Sequence, residues 1–260
     1  MEYQQIRLDV DDQIARVTLN SPDRMNAVGL EMARELREVF GRLAADPDVR
    51  VVVLNGEGRA FCAGGDVASF GDALDRDSGE LGELVEVLAE VSVMLRTMPQ
   101  PVISSVHRSV AGAGMGLALH ADFCLAAEGT FFVTAFGGVG LAGDTGVAYV
   151  VARRLGHVKA AELLMTGRVL SADEAAGVGL ITRVVPAEQL EEATRELAER
   201  LKAGPRGAYA AMKRQIWAAE YGGYEAFLAV ERETQVACGS SAEFGEGVRA
   251  FMERRRPDFS

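Results

Sequence analysis

The sequence predicts an α/β layer fold closed by a helical tail, and three observations carry that prediction. Short apolar runs at residues 51–54 and 101–106 read as strands, and the first, fully apolar, is buried on both faces if it lies mid-sheet. Stretches with apolar residues at helical spacing lie between such runs, and alternating strands and helices build stacked layers. From residue 190 onward four helical patterns follow one another without a strand between them.

The elements follow in order. Residues 3–20 read as two strands: Ile6, Leu8 and Val10 alternate, Asp11-Asp12 turns the chain, and Ile14, Val17 and Leu19 resume. Ser21-Pro22-Asp23 breaks the sheet. Leu30, Met32, Leu36, Phe40 and Leu43 mark a helix that Asp46-Pro47-Asp48 ends. Residues 67–81 carry Asp72, Asp75, Asp77 and Glu80 among glycines, with no steady apolar period, and are expected to be solvated and mobile. Helical spacing returns over 84–95. Residues 117–120 look helical, 123–126 strand-like, and 131–146 are rich in glycine and poor in charge. The tail helices are expected at 190–201, 208–219, 224–236 and 242–251. No Pro/Gly/Ser linker precedes the tail. The chain therefore divides into a core over 1–200 and a helical region over 201–260 that is not an independent domain.

The 260 residues are 48% hydrophobic and 25% charged, ample for a buried core and ordinary for a soluble protein. A net charge of −11 argues against general nucleic-acid binding, which needs a basic surface. Any polyanionic ligand must therefore meet a local basic patch. Cys62, Cys124 and Cys238 are far apart and show no metal-ligand spacing. An odd number of them points to reduced thiols, and no metal site is expected. There is no basic-then-apolar leader and no apolar run of about 18 residues. The expectation is a soluble, cytoplasmic protein with no membrane partner.

Two glycine-rich turns stand out. Phe61-Cys62-Ala63-Gly64-Gly65-Asp66 follows the first apolar run, and Ala111-Gly112-Ala113-Gly114-Met115-Gly116 follows the second. Small residues let a ligand lie on the main chain, and a helix starting there turns free N–H groups outward. Two such turns on neighbouring strands can aim two donors at one oxygen, which makes an oxyanion hole. The plainer alternative is that the glycines only let helices pack close to strands.

At these residues the chain resembles the crotonase superfamily of enoyl-CoA hydratases and isomerases, from Asn20-Ser21-Pro22 to Arg254-Arg255-Arg256-Pro257-Asp258-Phe259. The resemblance implies a spiral of ββα turns followed by helices that build a trimer, often a dimer of trimers. It implies that the amides of Ala63 and Ala113 hold the thioester oxygen of an acyl-CoA. Arg24 and Ala27, in Asp23-Arg24-Met25-Asn26-Ala27, resemble the segment near the adenine and phosphates. Gly64, Gly65, Asp66, Phe136 and Leu141 fall along the substrate path, and Lys213 is placed to reach a neighbouring subunit's coenzyme A. Coenzyme A enters as the substrate's thioester, with no permanently bound cofactor.

The resemblance also shows a departure. The two glutamates of family hydratases fall on Gly116 and Phe136, and neither side chain carries a proton. Adding water across a double bond needs acid and base groups around that water. An acid does stand in Gly140-Leu141-Ala142-Gly143-Asp144-Thr145-Gly146, where family isomerases of enoyl-CoA and of ring-1,2-epoxyphenylacetyl-CoA carry one. Ala135-Phe136 and the run from Ala242 to Phe251 look most like the phenylacetate branch. A single carboxyl suffices to move a double bond, provided its pKa is raised by apolar surroundings such as Phe131, Phe132, Phe136, Val139 and Leu141. Without the resemblance, Asp144 reads as the N-cap of a helix beginning at Thr145.

Isomerisation through Asp144 is thus the leading expectation. A hydratase with a non-standard second acid and a catalytically silent CoA-binding subunit are the alternatives. A dehalogenase, with the same aspartate as nucleophile, would need a histidine in 82–100, and there is none. His120 is expected to be buried and satisfied, His107 and His157 structural, Cys62 a small buried residue, and Asp66 a helix cap.

Overall fold

The computed structural model describes residues 3–71 and 79–260. Strands β1 (Ile6–Asp11) and β2 (Ile14–Leu19) form an antiparallel hairpin. Its two turn residues, Asp12 and Gln13, both take positive φ, 43° and 69°, as a turn matching the strand twist requires. Helix α1 (Leu30–Ala45) buries Met32, Ala33, Leu36, Val39, Phe40 and Leu43 on one stripe. The chain continues through β3 (Val51–Gly56), α2 (Val67–Gly71), α3 (Gly79–Thr97), β4 (Val102–Val106), β5 (Ser109–Ala111), α4 (Gly112–His120), β6 (Phe123–Ala127) and β7 (Phe131–Val133). A 3-10 turn (Phe136–Val139) leads to α5 (Val147–Leu155), α6 (His157–Thr166), β8 (Leu170–Ser171), α7 (Ala172–Gly177) and β9 (Arg183–Val185). Four helices close the chain: α8 (Leu190–Lys202), α9 (Arg206–Glu220), α10 (Tyr224–Gly239) and α11 (Ala242–Met252).

The main sheet has the order β1-β2-β3-β4-β6-β9 and is parallel from β2 onward; β5, β7 and β8 form a second, small sheet. The expectation that 51–54 is buried on both faces holds, and alternation explains how. Val52 and Leu54 enter the large core, while Val51 and Val53 pack with Ile103 and Leu125 beneath Ala198 and Leu201 of α8. Both faces of the central strands are therefore covered by helices.

Three expectations change. Of the stretch read as solvated and mobile, residues 72–78 lie outside the described residues, but its flanks are helical. Helix α3 begins at Gly79, and Leu81 and Leu84 are already buried in it. Its acids occupy the opposite face, where Glu83 and Glu90 pair with Arg34 and Arg37 of α1. Helix α4 begins at Gly112 rather than residue 117, and all nine of its residues are buried. A helix enclosed on every side has no polar face and leaves no period to read. Helix α5 begins at Val147 with Gly146 at its cap position, so Asp144 is not its N-cap.

Candidate active site

The two glycine-rich turns are bonded to each other. Phe61 and Cys62 donate their amides to the carbonyls of His107 and Ser109, and the Ala111 amide donates back to the Cys62 carbonyl, at 3.0 Å each. A side chain at Gly114 would put its Cβ 2.5 Å from the Cβ of Cys62, so only glycine allows this approach. The amide of Ala113 lies in the first turn of α4, where a helix has no carbonyl of its own to offer. The Ser109 carbonyl four residues back is already taken by Cys62. Among the described residues no main-chain carbonyl outside the helix takes the Ala113 amide, which leaves it a donor at the positive end of a helix dipole.

Ala63 differs. Its amide donates to the carbonyl of Met25 at 3.0 Å. Met25 and Asn26 both hold left-handed backbone, φ 51° and 55°, a conformation few non-glycine residues adopt. The buried Asn26 side chain fixes it, donating to the carbonyls of Glu57, Ala60 and Phe61 and accepting from the amide of Ser21. A substrate oxygen that bonds both Ala63 and Ala113 must share the Ala63 amide with Met25 or displace its carbonyl.

Beside these turns opens a cavity of about 570 Å³. Its walls include Arg24, Ala27, Ala63, Gly64, Gly65, Asp66, Phe136, Leu141 and Asp144, nine positions singled out in the sequence. Val67, Ala68, Leu81, Leu84 and Val139 add apolar wall. Phe251, from α11, joins them and was not foreseen; its sequence signal is a large aromatic left half exposed on an amphipathic helix.

Asp144 is 5% exposed. Burial pushes its carboxyl up to about 6, against the opposing pull of the Thr145 hydroxyl and the Gln235 side chain. Thr145 donates to Oδ1 at 2.7 Å. The loop carrying Asp144 is held from α10 by two side chains one turn apart. Gln235 Oε1 accepts the amides of Ala142 and Gly143, both at 2.8 Å, and both carboxyl oxygens of Glu231 lie 3.0 Å from the amide of Gly146. Neither residue was expected at the site. In the sequence they are two polar residues of an amphipathic helix, and only their spacing of four hints that they act together. Glu231 is raised to about 8, chiefly by burial and further by the nearby Asp144 charge.

The positions of the absent glutamates are filled. A Cβ at Gly116 would lie 2.6 Å from the Cβ of Thr145. Phe136 is buried in the cavity wall.

The remaining candidates separate clearly. The Asp66 carboxylate pairs with Arg24 at 2.6 Å across the cavity mouth; the Ser69 amide goes to the main-chain carbonyl of Asp66 instead of to its side chain. Lys213 does not join the cavity. It is 7% exposed and its ammonium is committed to Asp122 at 2.6 Å and to the carbonyls of Leu95 and Gln100. These bonds fix α9 to the end of α3 and leave no amine for a ligand. Cys62 is buried and its thiol is pushed up to about 12 by that burial, which makes it inert. His120 is buried and satisfied as expected: Nδ1 bonds the Gly116 carbonyl, Nε2 the Tyr224 hydroxyl, and burial holds its pKa well below the usual range. His107 bonds the Gly58 carbonyl.

Comparison with known proteins gives the family. The family model described as enoyl-CoA hydratase/isomerase matches residues 9–260. A trans-2-decenoyl-acyl-carrier-protein isomerase of Streptococcus mutans is 34% identical over 100% of this chain and 99% of its own length. The 1,2-epoxyphenylacetyl-CoA isomerase of Escherichia coli is 35% identical over 96% of each. The crystal structure of an enoyl-CoA hydratase from Mycobacterium avium subsp. paratuberculosis superposes with a TM-score of 0.92 at 30% identity, covering 100% of both chains. Fold, paired turns and whole-length similarity together place this chain in the enoyl-CoA hydratase/isomerase family, with the crotonase fold.

Proposed function

We propose that the protein is an enoyl-thioester isomerase in which Asp144 alone moves the proton. One observation carries this reading. Of the two carboxyls that line the cavity among the described residues, Asp66 is ion-paired with Arg24, and Asp144 is left unpaired in an apolar wall. Ionised Asp144 takes a proton from the carbon next to the thioester carbonyl. The electron pair moves onto the carbonyl oxygen as an enolate, which the amides of Ala113 and Ala63 stabilise; one such donor is worth about 3 kcal/mol in the transition state. The same carboxyl returns the proton two carbons further along, and the double bond ends conjugated with the carbonyl. The filled Gly116 and Phe136 positions support isomerisation over hydration, and so do the isomerase names of two relatives. In this reading Arg24 and Ala27, both in the cavity wall, meet the nucleotide end of coenzyme A. A trimer or dimer of trimers in the cytoplasm completes the proposal.

The test is mass-resolved product analysis with a 3-enoyl-CoA. The expected product is conjugated, unchanged in mass, and absent with Asp144→Asn. A product heavier by one water would establish a hydratase with a second acid. Tight CoA binding without turnover of any acyl-CoA would establish a silent subunit.

A further inference from the structure

Gln235 is fully buried and its amide orientation is fixed by the structure itself. Two main-chain donors, the amides of Ala142 and Gly143, converge on one atom of that side chain, which must therefore be the oxygen. The nitrogen is then forced to the other side. There Nε2 is buried and has no hydrogen-bond partner among the described residues. An unpaired buried donor costs on folding and is retained where something else comes to meet it. Asp144 directly follows Gly143, whose amide Gln235 holds, and the Gln235 side chain favours the charged form of that carboxyl. The Thr145 hydroxyl already occupies Oδ1. No described group bonds Oδ2, and Asp144 lines the cavity.

We propose that Gln235 is a positioning residue whose side-chain amide closes onto the ionised Asp144 carboxylate and fixes which oxygen faces the substrate. This rests on the reading of Asp144 as the proton carrier. The other ionisable groups facing Asp144 are the Cys62 thiol from the first turn, Glu231 from α10, and the Arg24–Asp66 pair across the cavity. Gln235, like Thr145, is a neutral donor, so it stabilises the carboxylate without adding a charge that would attract or repel a thioester. Its oxygen meanwhile ties the donor to the loop that carries Asp144, so loop and donor move together.

The experiment compares wild type with Gln235→Met, which fills the space and removes the donor. Two readouts are taken: the acid limb of kcat/KM for a 3-enoyl-CoA, and the titration of the Asp144 carboxyl followed by ¹³C NMR of γ-labelled aspartate, assigned with D144N. Loss of a donor to the charged form raises the pKa of an acid, so both titrations are expected to move up by about half a unit or more. That is roughly a threefold or greater fall in kcat/KM at a pH below the limb. A folded variant whose activity falls while both titrations stay in place would show that Gln235 only anchors the loop, and would overturn the proposal. If Gln235→Met does not fold, Gln235→Asn carries the same readouts, since its amide is one methylene too short to span both contacts. An active D144N would instead overturn the assignment of Asp144, and the carboxyl titration would still decide the role of Gln235.

Discussion

The place a Gly116 side chain would occupy is held by Thr145, whose Cβ lies 2.6 Å from an ideal Cβ at that glycine. Thr145 is the neighbour of Asp144 and donates to its Oδ1. The acid and the missing glutamate are therefore exclusive at this site: a side chain on α4 at residue 116 displaces the residue that steadies Asp144. Gly116→Ala is expected to destabilise by about 1–3 kcal/mol, as overpacking does, and to lower isomerisation. Gly116→Glu is expected to yield no hydratase. Thermal unfolding and product mass for the two variants check this; a folded Gly116→Glu that releases a hydrated product would refute it.

Isomerisation should depend on pH through one carboxyl that must be ionised. With Asp144 raised to about 6, kcat/KM is expected to fall about tenfold per unit as pH drops below that value. Above it the rate should level off. An acid limb near the ordinary aspartate value of 3.8 would mean that the apolar wall does not tune this group.

The oxyanion amides should respond differently to proline. At Ala113 the lost N–H is one the helix does not use, and proline is tolerated in a first helical turn. Ala113→Pro is therefore expected to cut kcat about a hundredfold or more with little loss of helix content by circular dichroism. At Ala63 the amide is already bonded to Met25, so Ala63→Pro should lose activity and about 1 kcal/mol of stability as well. Ala63→Gly keeps the amide and should be mild. Equal stability losses for the two prolines would show that the Met25 bond carries no weight.

Much of this was legible from residue order, and the part that was not shares a physical cause. The β1–β2 hairpin, α1 and the tail helices show through their apolar periods, and the central strands, dry on both faces, show as short apolar runs instead. Helix α4 is dry all round, and its start was misread for that reason. The turns at Ala63 and Ala113 show because close main-chain approach demands small residues. Asp144 showed through resemblance, since taken alone it reads as a cap. Glu231 and Gln235 were invisible. They lie about 90 residues beyond the loop they hold, and no local pattern records a contact at that separation. Lys213 shows the converse. Nothing local to a lysine in an amphipathic helix records its burial, and only the fold reveals that it is enclosed, with Asp122 as its partner.

That pair gives a test separating structure from ligand binding. Removing one partner of a buried ion pair strands the other and typically costs about 3–5 kcal/mol. Lys213→Ala is expected to lower stability on that scale, measured by urea unfolding, while coenzyme A affinity by calorimetry stays unchanged for protein that remains folded. A large loss of affinity with stability intact would return Lys213 to the binding site.

Glu231 gives the last prediction, and its sign runs against the usual behaviour of carboxylates. Its pKa is raised from an ordinary 4.5 to about 8, chiefly because burial disfavours the charged form. Between those values the folded protein holds a proton that the unfolded chain has released, so folding is favoured by low pH within this window. Stability from this group is fully present below about 4.5, declines as pH rises, and is lost above about 8. Asp144 adds a smaller contribution of the same sign, over the narrower window between 3.8 and about 6. The Gly146 amide on Glu231 opposes the shift but does not cancel it. Glu231→Gln keeps an oxygen for that amide and has no proton to lose. Its stability is expected to be close to wild type below about pH 4.5 and greater at pH 8, by an amount on the order of a few kcal/mol. Urea unfolding of both proteins across that range checks it. Parallel stability curves for the two proteins would show that Glu231 ionises normally in the folded state, with water reaching it beside the Gly146 amide.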